Sequence, residues 1–258
     1  LKGTVFHIEE RFDSMKPRSL DTALGLLERF TADHPQWGVR ELAVASGLAP
    51  SMVQRVLATF HDHGLLERTP ARKYRLGVRL WELGSRFRDQ FQLADVVLDR
   101  LRALAEATGE TAWLSLLQGD EAVCVQLCES RESVRVAIHL GGRTPLHAGS
   151  RGKVMLAFLP PPRRDALLAA AFPDAPERRD AFARELEAVR RQGWCLTSGE
   201  RLAGVVGLSA PLFDRAGAVF ASVTVGGPAA RMPEARIDAC RPPLLALARE
   251  LQTHFQMF

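Results

Sequence analysis

Apolar positions first recur at helical spacing from Leu20: Leu20, Ala23, Leu24, Leu27 and Phe30 form one stripe, the signature of an amphipathic helix. Ser19 or Asp21 could cap it, and His34-Pro35 would stop it. A short helix over Val39 to Ser46 carries Leu42 and Ala43, and Gly47 then supplies a left-handed residue for a sharp turn. A third helix follows Pro50, with Val53, Val56, Leu57 and Phe60 on one face. At about 100° per residue, Ser51, Arg55, Ala58 and Asp62 then point the other way, flanked by Met52 and Thr59. After Gly64 the pattern predicts two short strands, around Leu66 and around Tyr74, joined through a tip of Pro70, Ala71 and Arg72.

Further on, Ala94, Val97, Leu98, Leu101, Leu104, Ala105 and Thr108 repeat at spacings of 3 and 4. They predict an amphipathic helix, which could be a linker or a dimer seam. From Thr111 the period shortens. Thr111 to Gln118, a Gly119-Asp120 turn and Ala122 to Cys128 read as a hairpin, and Ser133 to His139 as a further strand broken by Gly141-Gly142. Helices are expected over Ser150 to Phe158, Arg163 to Ala170 and Pro176 to Gln192. Strands return at Trp194 to Ser198, Val205 to Leu212 and Ala218 to Val225, and a last helix runs from Pro233 to Phe255. Strands, then helices, then strands predict an α+β domain: an antiparallel sheet covered on one side by helices.

A net charge of +4 over 258 residues excludes a polycation, so nucleic-acid contact has to come from a local cluster. Such a cluster exists in the second hairpin strand and its surroundings: Arg68, Arg72, Lys73, Arg75 and Arg79, with Glu67 as the one acid beside them. Cys124, Cys128, Cys195 and Cys240 include no CxxC pair. Cys124 and Cys128 lie four apart on a predicted strand and so on one face. They read as reduced, packed thiols rather than metal ligands, and no cofactor is expected. Neither a membrane-length apolar run nor a signal peptide occurs, which points to the cytoplasm and away from a membrane. Residues 1–14 lack periodicity and read as a disordered extension or an artificial leader before a natural start at Met15.

Three helices, a glycine turn and a basic hairpin in about sixty residues compose a winged helix-turn-helix, whose third helix enters the major groove. Arg55 on its outer face could take guanine through two hydrogen bonds, and the wing suits phosphate contact. Each piece also has a plainer reading. Ser51 with Gln54 matches an S-x-x-Q capping box, Arg55 could be a solvated surface arginine, and the wing a solvated hairpin.

The residues that carry these features also resemble a known family. Glu41-Leu-Ala-Val-Ala-Ser-Gly-Leu-Ala-Pro-Ser-Met-Val-Gln-Arg-Val-Leu, His63-Gly64-Leu65 and Tyr74-Arg75-Leu76-Gly77 are similar to the DNA-binding domain of IclR-type bacterial regulators. Gly142 to Ala157, Gly193-Trp194, Glu200, Gly204-Val205, Ala210 to Asp214, Gly217, Gly227-Pro228 and Arg231 echo that family's C-terminal signature. The resemblance runs from about Leu20 to the C-terminus. It implies a winged helix-turn-helix over 15–82, a linker helix over 83–108 and a GAF-like effector domain over 109–258. The expected partners are double-stranded operator DNA, a small-molecule effector and a second copy, as a homodimer or by analogy a homotetramer. Arg40, Ser51, Met52, Gln54, Arg55, Thr59, Arg68, Arg72, Lys73 and Tyr74 are then the candidate DNA contacts. Ser51-Met52 departs from the family's common Ser-Thr, and methionine offers no hydroxyl to a phosphate.

The resemblance also places a pocket at Ser150, Arg151, Gly152, Thr197, Gly207, Thr224 and Gly226. Gly149-Ser150-Arg151-Gly152 opens a helix, where the dipole and free N–H groups favour an anion. Arg151 would add a fork for a carboxylate. Gly207 and Gly226 stand where some members carry polar side chains, which suggests a larger, aromatic acid; against this, Arg151 could face solvent or pair with a glutamate.

Enzyme signatures fail. The P-loop pattern needs glycine at 147 and Ser or Thr at 154, where His147 and Val154 stand. Neither G-x-S-x-G nor H-E-x-x-H occurs, and the cluster of Cys195, Thr197, Ser198 and Glu200 has no histidine near in sequence to act as its base. The remaining alternative is a ligand sensor whose helical domain docks a protein, against which the basic wing argues.

Overall fold

In the computed structural model, which describes residues 17–90 and 95–256, α1 (Arg18–Leu27) opens directly after Pro17. Proline's fixed φ suits a helix start, so neither Ser19 nor Asp21 caps it. The helix stops at Leu27, before His34-Pro35. Its buried face is Leu26, continued by Phe30 beyond the helix end, while Leu20 and Leu24 are exposed. Of the expected stripe, Ala23, Leu27 and Phe30 pack in the core, while Leu20 and Leu24 do not.

β1 (Gln36–Trp37), α2 (Val39–Ser46), α3 (Pro50–Asp62), β2 (Leu66–Arg68) and β3 (Tyr74–Leu76) follow. Gly47 ends α2 at φ 68°, as the turn requires. The hairpin is joined by β1, so the sheet has three antiparallel strands in the order β1-β3-β2. Trp37 anchors the extra strand by donating its Nε1–H to the Arg29 carbonyl at 2.8 Å. Leu26, Phe30, Leu42, Val53, Leu57, Phe60, Leu66 and Tyr74 make the small core. α4 (Val78–Gln90) completes this unit.

The chain divides between residues 91 and 92 into two compact units. Where one linker helix is expected over 83–108, the described residues hold two helices, α4 and α5 (Asp95–Thr108), and α5 belongs to the second unit. Val97, Leu101, Leu104 and Ala105 are buried in that unit's core, so the apolar stripe is spent on packing. Ala94 lies outside the described residues.

β4 (Thr111–Gln118), β5 (Glu121–Cys128), β6 (Arg143–Pro145), β7 (Cys195–Ser198), β8 (Val205–Phe213) and β9 (Val219–Pro228) form one antiparallel sheet, ordered β6-β5-β4-β9-β8-β7. α6 (Gly149–Leu156), α7 (Pro161–Ala171) and α8 (Pro176–Gln192) separate β6 from β7, and α9 (Glu234–Gln256) ends the unit.

Strand alternation shows that both faces are covered, not one. Ala112, Leu114 and Leu116 of β4, Leu208, Ala210 and Leu212 of β8, and Ala221, Val223 and Val225 of β9 pack with α5 and α9. The opposite face presents Ser209 and Ser222 to α6. Behind α6, Val154, Met155 and Leu156 join Leu168 of α7 and Leu186 and Val189 of α8. α9 holds Pro242 and Pro243 in its interior, each without an N–H for the helix ladder. Its buried side nonetheless continues through Cys240, Leu244, Leu247 and Leu251.

Ser133 to His139 is not a strand. Val136 and Ile138 are buried and their neighbours exposed, which produces the period of two. The place beside β5 is taken by β6, which pairs Glu121 with Pro145 and Val123 with Arg143.

Cys124 and Cys128, expected on one face, lie on opposite faces of the sheet. Between Leu114 and Ser115 the register shifts, so that Gln126 pairs with Leu114 but Cys124 with Ser115. The extra residue, Val125, turns the strand over. Cys128 packs against the α5/α9 side, while Cys124 joins Trp113, Val136 and Ile138. Among the described residues no helix is long and apolar enough to cross a membrane.

Candidate functional site

The outer face of α3 is free. Its N-cap is Ala49 and Pro50 occupies the first turn, so Ser51 makes no capping hydrogen bond and the capping-box reading fails. Ser51, Gln54, Arg55 and Thr59 are exposed and Met52 is half-buried, opposite buried Val53, Leu57 and Phe60. Thr59 donates its hydroxyl to the Arg55 carbonyl at 3.0 Å; the Arg55 guanidinium has no partner among the described residues.

The wing sorts its cations into engaged and available ones. Lys73 Nζ lies 3.0 Å from Glu41 Oε1, and Glu41 Oε2 accepts the Gly38 N–H at 3.0 Å. That N–H first, and Lys73 second, hold the Glu41 carboxyl below its usual range. Arg75 pairs with Glu67 and Arg79 with Glu82. Arg40, Arg68 and Arg72 are exposed with no partner among the described residues. Arg72 sits at the hairpin tip with φ 59°, the left-handed region that side chains avoid. Tyr74 is 5% exposed in the core beneath the wing, its ring edge-on to His61. It supports the wing and offers little surface to a ligand.

A cavity of about 50 Å³ opens in the second unit between α6, β4, β7, β8 and the loop after β7. Four of the seven expected residues line it: Ser150, Arg151, Thr197 and Gly207. The first two lie on the opening turns of α6. The Ser150 N–H donates to Thr197 Oγ1 at 3.0 Å, so that amide is already engaged. The hydroxyls of Ser150, Ser209 and Thr224 form a buried chain with links of 2.8 Å. Thr224 thus reaches the cavity only through Ser209 and then Ser150.

The other two expected positions are spacers. A Cβ on Gly152 would come within 2.7 Å of the Leu146 carbonyl oxygen, so glycine lets α6 rest on that backbone. A Cβ on Gly226 would come within 2.7 Å of Trp113 Cη2, so glycine there seats the indole that forms one wall. Gly207 leaves similar room for Ser150, whose Oγ lies 2.6 Å from where a Cβ would be.

Arg151 neither faces solvent nor meets a glutamate. It is 4% exposed, and Nη2 donates to Thr144 Oγ1 while Nε and Nη1 have no partner among the described residues. Burial, then the charge of Arg201, pushes its pKa down to about 10 despite nearby Cys124. It therefore stays cationic at neutral pH. Buried guanidinium donors without acceptors cost on the order of 1–3 kcal/mol per group.

Lys153, two residues on, is also buried but paired: Nζ is 2.7 Å from both Glu185 and Glu200. Burial lowers its pKa, yet the two carboxylates outweigh it and the net direction is up. Arg201, Trp113, Val136, Ile138 and Leu202 also line the cavity and were not foreseen. Trp113 Nε1–H is buried without a partner. Burial drives the Cys124 and Cys195 thiols up, to about 11 and about 12, which makes them poor nucleophiles.

Two family models match the chain: the IclR helix-turn-helix domain over residues 19–70 and the bacterial transcriptional regulator IclR C-terminal domain over residues 87–253. The HTH-type transcriptional regulator BhcR of Paracoccus denitrificans is 34% identical over 93% of this chain and 88% of its own. The crystal structure of an IclR transcriptional regulator from Silicibacter sp. TM1040 is similar with a TM-score of 0.79 and 28% identity, covering 92% of this chain and 96% of that one. An IclR homologue from Microbacterium hydrocarbonoxydans, complexed with 4-hydroxybenzoate, is similar with a TM-score of 0.75 and 25% identity, covering 91% and 99%.

Proposed function

The chain belongs to the IclR family of bacterial transcriptional regulators, a DNA-binding protein with an effector-binding C-terminal domain and not an enzyme, and on that premise we propose that its effector is an organic carboxylate held by Arg151. One observation carries this reading: a guanidinium 4% exposed, lining a cavity, with Nε and Nη1 unpaired. A bidentate carboxylate takes Nη2 together with either Nε or Nη1, and Nη2, with two hydrogens and one given to Thr144, keeps one for such a fork. Trp113, Val136 and Ile138 supply an apolar wall suited to a planar ring, and the Microbacterium homologue's complex with 4-hydroxybenzoate supports an aromatic acid.

On the DNA side, Ser51, Gln54, Arg55 and Thr59 read base edges or adjacent phosphates, and Arg40, Arg68 and Arg72 hold the backbone. One winged helix covers a half-site, so operator binding requires a homodimer or a higher multiple of it. The effector acts by binding one DNA-affinity state more tightly than the other.

Isothermal titration with benzoate and 4-hydroxybenzoate tests the assignment. Replacing Arg151 with glutamine should weaken binding at least tenfold, the scale of a charge-assisted hydrogen bond of about 1.5–3 kcal/mol. Equal binding by both proteins removes Arg151 from the account.

A further inference from the structure

Two arginines without an acidic partner among the described residues meet at this cavity. Arg151 is buried in it, and Arg201 lines it from an exposed position. The Arg201 stem crosses the start of α6: a Cβ on Gly149 would lie 3.5 Å from Arg201 Cβ and 3.9 Å from its Cδ. Glu200, the acidic residue of the lining, is turned to Lys153 at 2.7 Å, and Lys153 is shared with Glu185. Neither arginine is compensated by that triad. Like charges facing one small cavity repel, and the repulsion strengthens as water leaves.

A monocarboxylate answers only half of this arrangement. It fills the fork of Arg151 and leaves Arg201 as it was. The apolar stretch formed by Trp113, Val136 and Leu202 asks for a hydrophobic body on the same ligand. Building on the effector reading above, we propose that the effector is a dianion, a dicarboxylate with an apolar body, one carboxylate on Arg151 and the other on Arg201.

The test is isothermal titration of the full chain with matched pairs: benzoate against the three benzenedicarboxylates, and hexanoate against hexanedioate. At least one diacid should bind tenfold or more tightly than its monoacid. Arg201→Gln should weaken that diacid tenfold or more beyond any loss in the monoacid, closing the gap between them, and Arg201→Glu should weaken the diacid further. Arg151→Gln should weaken both. A thermal melt of each variant checks that it is folded. If wild type binds monoacids as tightly as diacids, or Arg201→Gln weakens both equally, the dianion is excluded while the carboxylate on Arg151 stands. If no acid binds the folded wild type, or Arg151→Gln changes nothing, both readings fall.

Discussion

Arg151 and Gly226 act on the same pocket in opposite ways, one by an unmet charge and the other by an absent side chain. Gly226→Ala would press its methyl on Trp113, which is 4% exposed and has nowhere to retreat but into the cavity. Overpacking of this kind costs about 1–3 kcal/mol. The variant should melt lower and lose tenfold or more in carboxylate affinity, yet bind DNA as before without effector; titration and a gel-shift assay read the two. Arg151 could be placed on the cavity from the sequence because the family resemblance and a helix start followed by a basic residue meet in one short stretch. Trp113 and Arg201 were not legible: β4 pairing with β9 sets Trp113 opposite Thr224, and no window along the chain contains that register.

The wing depends on a strained tip. Arg72 at φ 59° carries a penalty of about 1–2 kcal/mol that glycine would not. Arg72→Gly should therefore raise the melting temperature by a few degrees while the salt dependence of DNA binding becomes shallower by about one charge. Arg72→Ala, which keeps the strain and loses the charge, separates the two effects. Equal slopes for all three proteins would place Arg72 away from phosphate. Long periodic elements were legible, as α2 and α8 are found at the expected bounds. Elements defined by a partner were not. β1 has two residues, too few for any period, and 133–139 shows the alternation of a strand without a neighbouring strand to bond it.

For the molecule as a whole, the proposed homodimer would set two winged helices on one operator, which then has internal symmetry. Selection from a random DNA pool should enrich a pseudo-palindrome, and Arg55→Ala should relax it at particular bases while affinity elsewhere is kept. Loss spread evenly over all positions would make Arg55 a phosphate contact instead. The change of hydrophobic period near Thr111 marks where the sheet begins, whereas the boundary between the units falls between residues 91 and 92, ahead of α5, and helices on both sheet faces emerge only from the packing. The bulge in β5 has a practical side. All four cysteines belong to the second unit, and by turning Cys124 inward it leaves Cys128 as the single one not fully buried. A maleimide added to the native protein should attach once per chain, at Cys128, and four times after denaturation. The slow appearance of the second label then serves as a clock for opening of the effector unit, and effector should slow that clock without any probe being engineered.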